Sequence, residues 1–350
     1  MTDKLAKKVA LLVGGWSAER EVSLTKGKKV EAGLLEAGYD VDVIDVTKDI
    51  DAIKAALTPK PDVVFNNLHG RGGEDGTIQG ILDVMEIPYT HSGLLASAVA
   101  MDKAMTKRLA GTCGVLSPQW AVMPLNNVQD HNPVPAPFVI KPVNEGSSVG
   151  VYIVEDKSLF SAGDINGLAL EEDVLIEQYI PGRELTVAVL DGQPQGVTEI
   201  VSKTKFFDYA AKYSDQRTEY VLPADIPEQI YNKALDNAAQ IFKLLECQGL
   251  ARCDFRYNDT RQGPEGLYFL EINTQPGLTA ESIGPSQVIH NGKTFPELCA
   301  HLVETALKRH SQCPQNQKGS KTNNPTSADK AEPASSPQAG SSQNFAHTGS

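Results

Sequence analysis

The sequence is poor in cysteine, and the five cysteines it has are scattered: Cys113, Cys247, Cys253, Cys299 and Cys313 form no CxxC pair and no ladder of short spacings. That argues against a disulfide scaffold and a structural zinc site, and for reduced thiols in a cytoplasmic protein. Long apolar runs are also missing; nothing approaches the ~18 residues of a membrane span. Val9–Val13, after a basic start, is too short for the core of an export signal and runs into Gly14-Gly15 and Glu19-Arg20-Glu21, so it reads as a first strand. Positive charge is in deficit, with 32 Lys and Arg against 44 Asp and Glu and a net charge of −12. An acidic chain is a poor holder of a nucleic-acid backbone, although a local basic pocket for a small anion is compatible with it. No GxGxxG follows the first strand and no GxxxxGK[ST] is present, so neither a dinucleotide fingerprint nor a P-loop is available.

What is there is an ordinary globular composition, 41% apolar and 22% charged, over 350 residues, a length that predicts two or three domains. The first hundred residues alternate strand and helix. Val9–Val13, Val41–Val43 and Asp62–Asn66 read as strands, Val22 to Leu35 and Ile50–Leu57 as helices, with breaks at Gly38 and Pro59. This alternation predicts a parallel sheet with right-handed crossovers and a ligand beyond the carboxyl ends of its strands. Gly14-Gly15 and His69–Gly76 both fall at such ends. From about Lys103 the texture changes to short strands at Phe138–Pro142, Gly150–Val154 and Val174–Tyr179. Glu184–Leu190 reads as an alternating strand, Ile226–Glu246 as the longest helix, and Ala251–Tyr257 with Leu267–Asn273 as a strand pair. After about Gln312 the chain is Ser, Pro, Gln, Asn and Gly with almost no aliphatic residues, a composition that predicts disorder.

Four local patterns carry chemistry. In Ile140–Gly150 a lysine, Lys141, ends a strand and a Ser- and Gly-rich loop follows. Its backbone N–H groups suit phosphate oxygens, and a plain β-turn is the alternative. In the pair Arg252-Cys-Asp254 and Glu271-Ile-Asn273, strand alternation sets Arg252 with Asp254 and Glu271 with Asn273. Paired side by side they present two carboxylates, a carboxamide and a guanidinium. That set suits a hard cation shared with nucleotide phosphates, beside an arginine placed for a developing anion. The alternative, a solvated edge hairpin, is weakened by Phe255, Phe269 and Leu270, which read as buried. Glu19 reads first as a first-turn acid favouring the helix dipole and second as a partner for a substrate ammonium. His69 is equally a loop-structuring or a catalytic histidine. Finally, Phe206–Ser214 is aromatic and lies in a stretch of about Thr204 to Pro223 without a clear element, the length of a functional lid.

Together these residues resemble the ATP-grasp superfamily and, within it, the D-alanine–D-alanine ligase family. The resemblance runs from Val9 to about Lys308. It rests on Gly14–Leu24, Leu68–Gly76, Met101-Asp102-Lys103, Lys141–Gly150, Asp208–Tyr213 and Glu271–Gly277 in that order and spacing. It implies an α/β, three-domain ATP-grasp architecture. An amino-terminal, Rossmann-like parallel-sheet domain (1–100) binds substrate, and a central ATP-grasp subdomain spans 101–182. A carboxy-terminal ATP-grasp subdomain (183–311) carries a lid loop at 204–223, and a disordered tail covers 312–350.

The resemblance also implies the ligands. Lys103, Lys141 and Lys212 would meet ATP phosphates, with Ser148 in the loop that covers them. Glu177 and Glu184 would face the adenine amino group and the ribose, and Phe206 would pack near the adenine. Asp254, Glu271 and Asn273 would hold two Mg²⁺ or Mn²⁺ ions. Glu19, with His69 nearby, would take the first D-alanine, and Tyr213 and Ser147 would link to Glu19 and close the lid. Arg252 and the Gly277 backbone would stabilise an oxyanion, and Ser282 with Lys212 would meet the second D-alanine's carboxylate. The implied reaction forms a dipeptide, not an ester, through an acyl phosphate, in a cytoplasmic homodimer that serves peptidoglycan precursor synthesis.

Three positions depart from the family pattern: Gln178 where lysine is common, Gln275 in place of a small residue before Pro276-Gly277, and Arg256 where an apolar residue often lines the base pocket. Three other readings stay open on the residues alone. One is a different ATP-grasp carboxylate–amine ligase. The others are a dinucleotide-dependent oxidoreductase built on the amino-terminal sheet and a non-catalytic nucleotide-binding regulator.

Overall fold

The computed structural model describes residues 6–312 apart from 146–149, 166, 203–217 and 262. Five residues singled out in the sequence (Ser147, Ser148, Phe206, Lys212 and Tyr213) lie outside the described residues, as does 313–350.

The first layer is the expected parallel sheet. β1 (Lys8–Gly14), β2 (Asp40–Val46) and β3 (Val63–Asn66) pair in the order β2-β1-β3. β1 is buried from Val9 onward, as its unbroken apolar run requires of a central strand covered on both faces. α1 (Arg20–Glu36) and α2 (Ile50–Ala56) make the crossovers, and the Asp49 carboxylate caps α2 by accepting from the Asp51 and Ala52 amides. The buried stripe of α1 is Ser23, Gly27, Val30, Gly33 and Leu34, small enough for close approach, while Leu35 is exposed. α3 (Thr77–Val84), α4 (Leu94–Met101) and α5 (Lys103–Thr112) follow, the last started by Asp102, whose carboxylate accepts from the Met105 amide.

The second sheet is antiparallel. It is built from β4 (Trp120–Pro124), β5 (Phe138–Pro142), β6 (Tyr152–Val154) and β7 (Asp173–Gln178) in the order β4-β7-β5-β6. The third comprises β8 (Arg183–Leu190), β9 (Gln193–Ser202), β10 (Thr218–Val221), β11 (Leu250–Tyr257) and β12 (Leu267–Asn273), ordered β10-β9-β8-β11-β12. The end of the stretch read as a lid, 218–221, is therefore an edge strand on β9. β8 does not alternate: every residue from Leu185 to Leu190 is buried. It lies mid-sheet, with α6 (Glu228–Leu244) over one face and α7 (Ile283–His290) over the other, so both of its faces are core. On α6 the packed residues are Ile230, Ala234, Ala238, Ile241 and Phe242; Leu244 faces solvent.

α8 (Phe295–Gln312) closes the chain against α1, where a side chain at Gly33 would strike Phe295 and Cys299. One core cluster joins Val9, Leu11 and Phe65 of the parallel sheet to Ala188 and Leu250 of the third sheet and Leu302 of α8. The parallel sheet is thereby fixed against β8 and β11 of the third sheet. Among the described residues no helix is long and apolar enough to cross a membrane.

Candidate active site

The loops beyond β1 and β3, the start of α5 and the facing strands β11 and β12 enclose a cleft of about 360 Å³. It is lined by Glu19, His69, Lys103, Glu184, Arg252, Asp254, Glu271, Asn273, Gly277 and Ser282, so ten residues singled out in the sequence meet in one place.

Ladder register explains the floor of the cleft. Asp254 stands opposite Glu271, and Arg252 opposite Asn273. A bulge between these pairs and the rest of the ladder leaves Leu270 unpaired and sets Phe269 opposite Phe255. Strict alternation would have put Phe269 on the same face as Glu271. The bulge turns it inward, where the two rings meet edge to face at 5.8 Å and both are fully buried, while Leu270 is only half-buried. The Asp254 carboxylate accepts from Thr186 Oγ1 (2.6 Å), Arg252 Nε (2.8 Å) and Arg252 Nη2 (2.8 Å). Among the described residues no three His, Cys, Asp or Glu side chains are arranged to hold a metal. The donors offered here are two carboxylates and a carboxamide, an all-oxygen set that suits a hard cation completing its shell with phosphate oxygens.

Behind the floor lies a buried ion cluster. The Glu177 carboxylate sits between Lys107 Nζ and Lys141 Nζ, each 2.5 Å away. Burial opposes the charge on Glu177, but the two ammonium groups outweigh it and hold its carboxyl below the usual range. Burial likewise pulls Lys141 down, yet Glu177 and then Glu271 lift it above the ordinary lysine value. Lys107 loses that contest: burial brings it down to about 8. Both Glu177 oxygens are ion-paired and the side chain is buried. Lys141 and Glu177 do not line the cleft itself; Lys103 does, with its Nζ on the Glu145 carbonyl and 3.6 Å from Glu271.

The opposite wall comes from the parallel sheet. Ser23 accepts from the Gly14 amide (3.0 Å) and donates to the Asn67 carbonyl (2.7 Å), tying α1 to the ends of β1 and β3. Glu19 occupies the N-cap position of α1, where the helix dipole favours an acid, and makes no side-chain capping hydrogen bond. It is buried and lines the cleft near Gly70, whose φ of +67° favours glycine and where an added Cβ would lie a tight 3.0 Å from Ser17 and 3.3 Å from Glu19 Oε1. His69 Nδ1 lies 3.1 Å from Glu74 Oε1, which orients the ring in the wall. Across the mouth, Arg71 pairs with Glu145 at 2.9 Å and joins the loop after β3 to the loop after β5.

The departures also find places. The Gln275 side chain is buried; its carbonyl accepts from Asn66 Nδ2 (2.7 Å) and its amide donates to the Leu68 carbonyl. It thus pins the Pro276-Gly277 turn to the end of β3. Arg256 donates to the carbonyls of Ile180 (3.1 Å) and Gly182 (2.9 Å) and lies 3.6 Å from Glu184, fixing the β7–β8 turn. Two residues of the site escaped the sequence reading. Lys107 was hidden in an amphipathic helix. Lys26 lines the cleft from α1, and its signal was its position: three residues after Ser23 and four before Val30, a lysine on the buried stripe.

This geometry can now be set beside known proteins. A family model described as "D-ala D-ala ligase C-terminus" matches residues 115–304, and one described as "D-ala D-ala ligase N-terminus" matches residues 50–92. The D-alanine–D-alanine ligase of Acidiphilium cryptum is 48% identical over 303 residues, 87% of this chain and 99% of that protein. The chain belongs to the D-alanine–D-alanine ligase family. The ligase of Granulibacter bethesdensis is 46% identical, again over 87% of this chain and 99% of its own length. Among solved structures, a D-alanine–D-alanine ligase from Bacillus anthracis complexed with ATP superposes with a TM-score of 0.74 at 29% identity, covering 87% of this chain and 98% of that one. A second structure of the Bacillus anthracis ligase superposes with a TM-score of 0.76 at 31% identity, covering 87% and 99%. The mixed α/β architecture with its parallel amino-terminal sheet is therefore the ligase fold, and the oxidoreductase and regulator readings fall away.

Proposed function

We propose that this chain joins two D-alanine molecules into D-alanyl-D-alanine, converting ATP to ADP and phosphate, as a cytoplasmic homodimer supplying peptidoglycan synthesis. The observation that carries the reading is that one cleft holds both halves of the chemistry. Asp254, Glu271, Asn273 and Lys103 gather at the floor, and Glu19 and His69 stand in the wall contributed by the other sheet.

A carboxylate is a poor acyl donor, so it must first exchange an oxide for a better leaving group. Transfer of the γ-phosphoryl group to the first D-alanine makes an acyl phosphate and releases ADP. Lys103, which lines the cleft, would meet the polyphosphate, and Lys141, kept charged by Glu177 behind the floor, would add its positive charge there. Asp254, Glu271 and Asn273 would hold Mg²⁺ or Mn²⁺, which when bound offsets the charge on the phosphoryl oxygens. Glu19 orients the first substrate through its ammonium group. The free amine of the second D-alanine attacks the acyl carbon, the tetrahedral oxyanion meets Arg252 and the Gly277 backbone, phosphate leaves, and the amine proton is lost to solvent. Ser282 receives the second carboxylate. Lys212, Tyr213, Ser147, Ser148 and Phe206 belong to the segments that would close over ATP and the acyl phosphate and keep water out.

The test is ADP release by the purified chain. D-alanine with ATP should give one ADP per dipeptide, identified by mass, and L-alanine should give neither product. ADP release that depends on another amino acid and not on D-alanine would favour a different carboxylate–amine ligase.

A further inference from the structure

Lys107 is a buried charge that the reaction set out above does not use. It stands on α5, its side chain is fully buried, and it does not line the cleft. An ammonium in such a place needs acceptors, and it has one from each antiparallel sheet. Its Nζ lies 2.5 Å from Glu177 Oε1 on β7. It also donates to the Phe269 carbonyl on β12 at 3.3 Å, with the centroid of that ring 5.8 Å away. Topology explains the second contact. β12 is an edge strand of the third sheet, so alternate residues turn their backbone groups away from β11 and need partners elsewhere. At Phe269 both outward groups are met from α5 and the loop after it: the amide donates to the Leu116 carbonyl at 2.8 Å, and the carbonyl accepts from Lys107. Phe269 stands at the bulge, two residues before Glu271. The first contact leads to the phosphate side. The other Glu177 oxygen lies 2.5 Å from Lys141 Nζ, so the carboxylate is held from two directions. Two ammonium groups share it, and Glu271 attracts both across the floor. One lysine would have sufficed to neutralise Glu177; the second ties the counter-ion of Lys141 to the strand that carries Glu271 and Asn273.

We infer that Lys107 is a positioning residue for the nucleotide's phosphates: anchored on the edge of β12, it fixes the Glu177 carboxylate and, through it, the Lys141 ammonium. This rests on the ligase reading above for the identity of the nucleotide. Without Lys107 the Glu177 side chain keeps one partner and regains rotamer freedom, and Lys141 follows it. The base and ribose of the nucleotide do not depend on that link.

The test is binding of ADP, with saturating Mg²⁺, and of adenosine to the full chain, each by titration calorimetry. Adenosine has the base and the ribose but no phosphate for Lys141 to meet. Lys107→Met should raise Kd for ADP about 10-fold and leave Kd for adenosine within about two-fold of the wild type. In turnover, KM for ATP should rise in parallel, with little change in kcat. Lys107→Gln, neutral but still a hydrogen-bond donor toward Glu177, should recover most of the loss. Lys107→Leu carries the expectation of the Met variant if that variant does not fold. An unchanged Kd for ADP in the Met or Leu variant overturns the inference. So does equal weakening of ADP and adenosine, which would make Lys107 a strut for the whole site. A Gln variant as weak as the Met variant overturns it too, because the charge would then act on the phosphates directly and not by holding Glu177. The wild type reports separately on the ligase reading: ADP binding without dipeptide formation from ATP and D-alanine defeats that reading alone.

Discussion

Arg252→Ala should lower turnover by about 10²–10³-fold while leaving the fold intact. The guanidinium is held by a bidentate pair with Asp254, at 2.8 Å for both contacts, on a strand whose register places it opposite Asn273. It is therefore preorganised at the edge of the cleft, where negative charge develops as the amine adds to the acyl phosphate. Removal of one such donor typically costs ~3–4 kcal/mol of transition-state stabilisation, and each ~1.4 kcal/mol is tenfold in rate. Asp254 keeps its hydrogen bond from Thr186 at 2.6 Å but is buried and loses its guanidinium partner, so truncation also carries a stability cost. The loss should fall on kcat, read as ADP release at saturating ATP and D-alanine, with a cooperative thermal transition retained at a lower midpoint. Normal kcat in the purified variant would remove Arg252 from the reaction.

Glu177→Leu should be the most damaging single change to stability. Its carboxylate is the shared counter-ion of Lys107 and Lys141, and all three side chains are buried. Breaking a buried ion pair from one side typically costs ~3–5 kcal/mol, because the remaining charge keeps its desolvation penalty and loses its compensation. Here two ammonium groups are left. The sign of the pH dependence follows. Lys107 is already pulled down to about 8 by burial; without Glu177 it falls further, and Lys141 loses the largest of the contributions that lift it, leaving burial to pull it down. Between the folded and unfolded values the unfolded chain then holds more protons, so the variant gains stability as pH rises. The deficit relative to the wild type should be largest near neutrality and shrink above pH ~8. Urea midpoints measured at pH 7 and pH 9 check this. A variant matching the wild type at pH 7 would show that the cluster contributes nothing net.

How far this was legible in the sequence depended on whether a feature was local. The strand ends at Gly14-Gly15 and His69–Gly76 were visible because an unbroken apolar run followed by glycines has few other meanings. The Asp254–Glu271 pairing was visible because period-two alternation holds on the site side of the bulge, from Arg252 to Asp254 and from Glu271 to Asn273. β4 and β9 were missed: Trp120–Pro124 is half-buried throughout, and Gln193–Ser202 opens with Gln-Pro-Gln-Gly, which reads as a turn. The bulge at Leu270 was invisible, since it arises from the packing of Phe269 on Phe255 and not from any turn signal. Glu19 was read first as a helix-end acid; that it is buried and lines the cleft emerges only from the fold. Lys107 and Gln275 depend on partners between 70 and 209 residues away in sequence (Glu177, and Asn66 with Leu68), and no periodicity carries that information. The departure at Gln275, unexplained by motif, became a bridge between two sheets once its hydrogen bonds were placed.

The account stands or falls on whether the first D-alanine's own carboxylate oxygen receives the phosphoryl group. Wild-type enzyme supplied with ATP and D-alanine labelled with ¹⁸O in both carboxylate oxygens should release dipeptide together with inorganic phosphate carrying one ¹⁸O atom per peptide bond formed. Dipeptide accompanied by unlabelled phosphate would contradict activation through an acyl phosphate, and with it the assignment of this cleft.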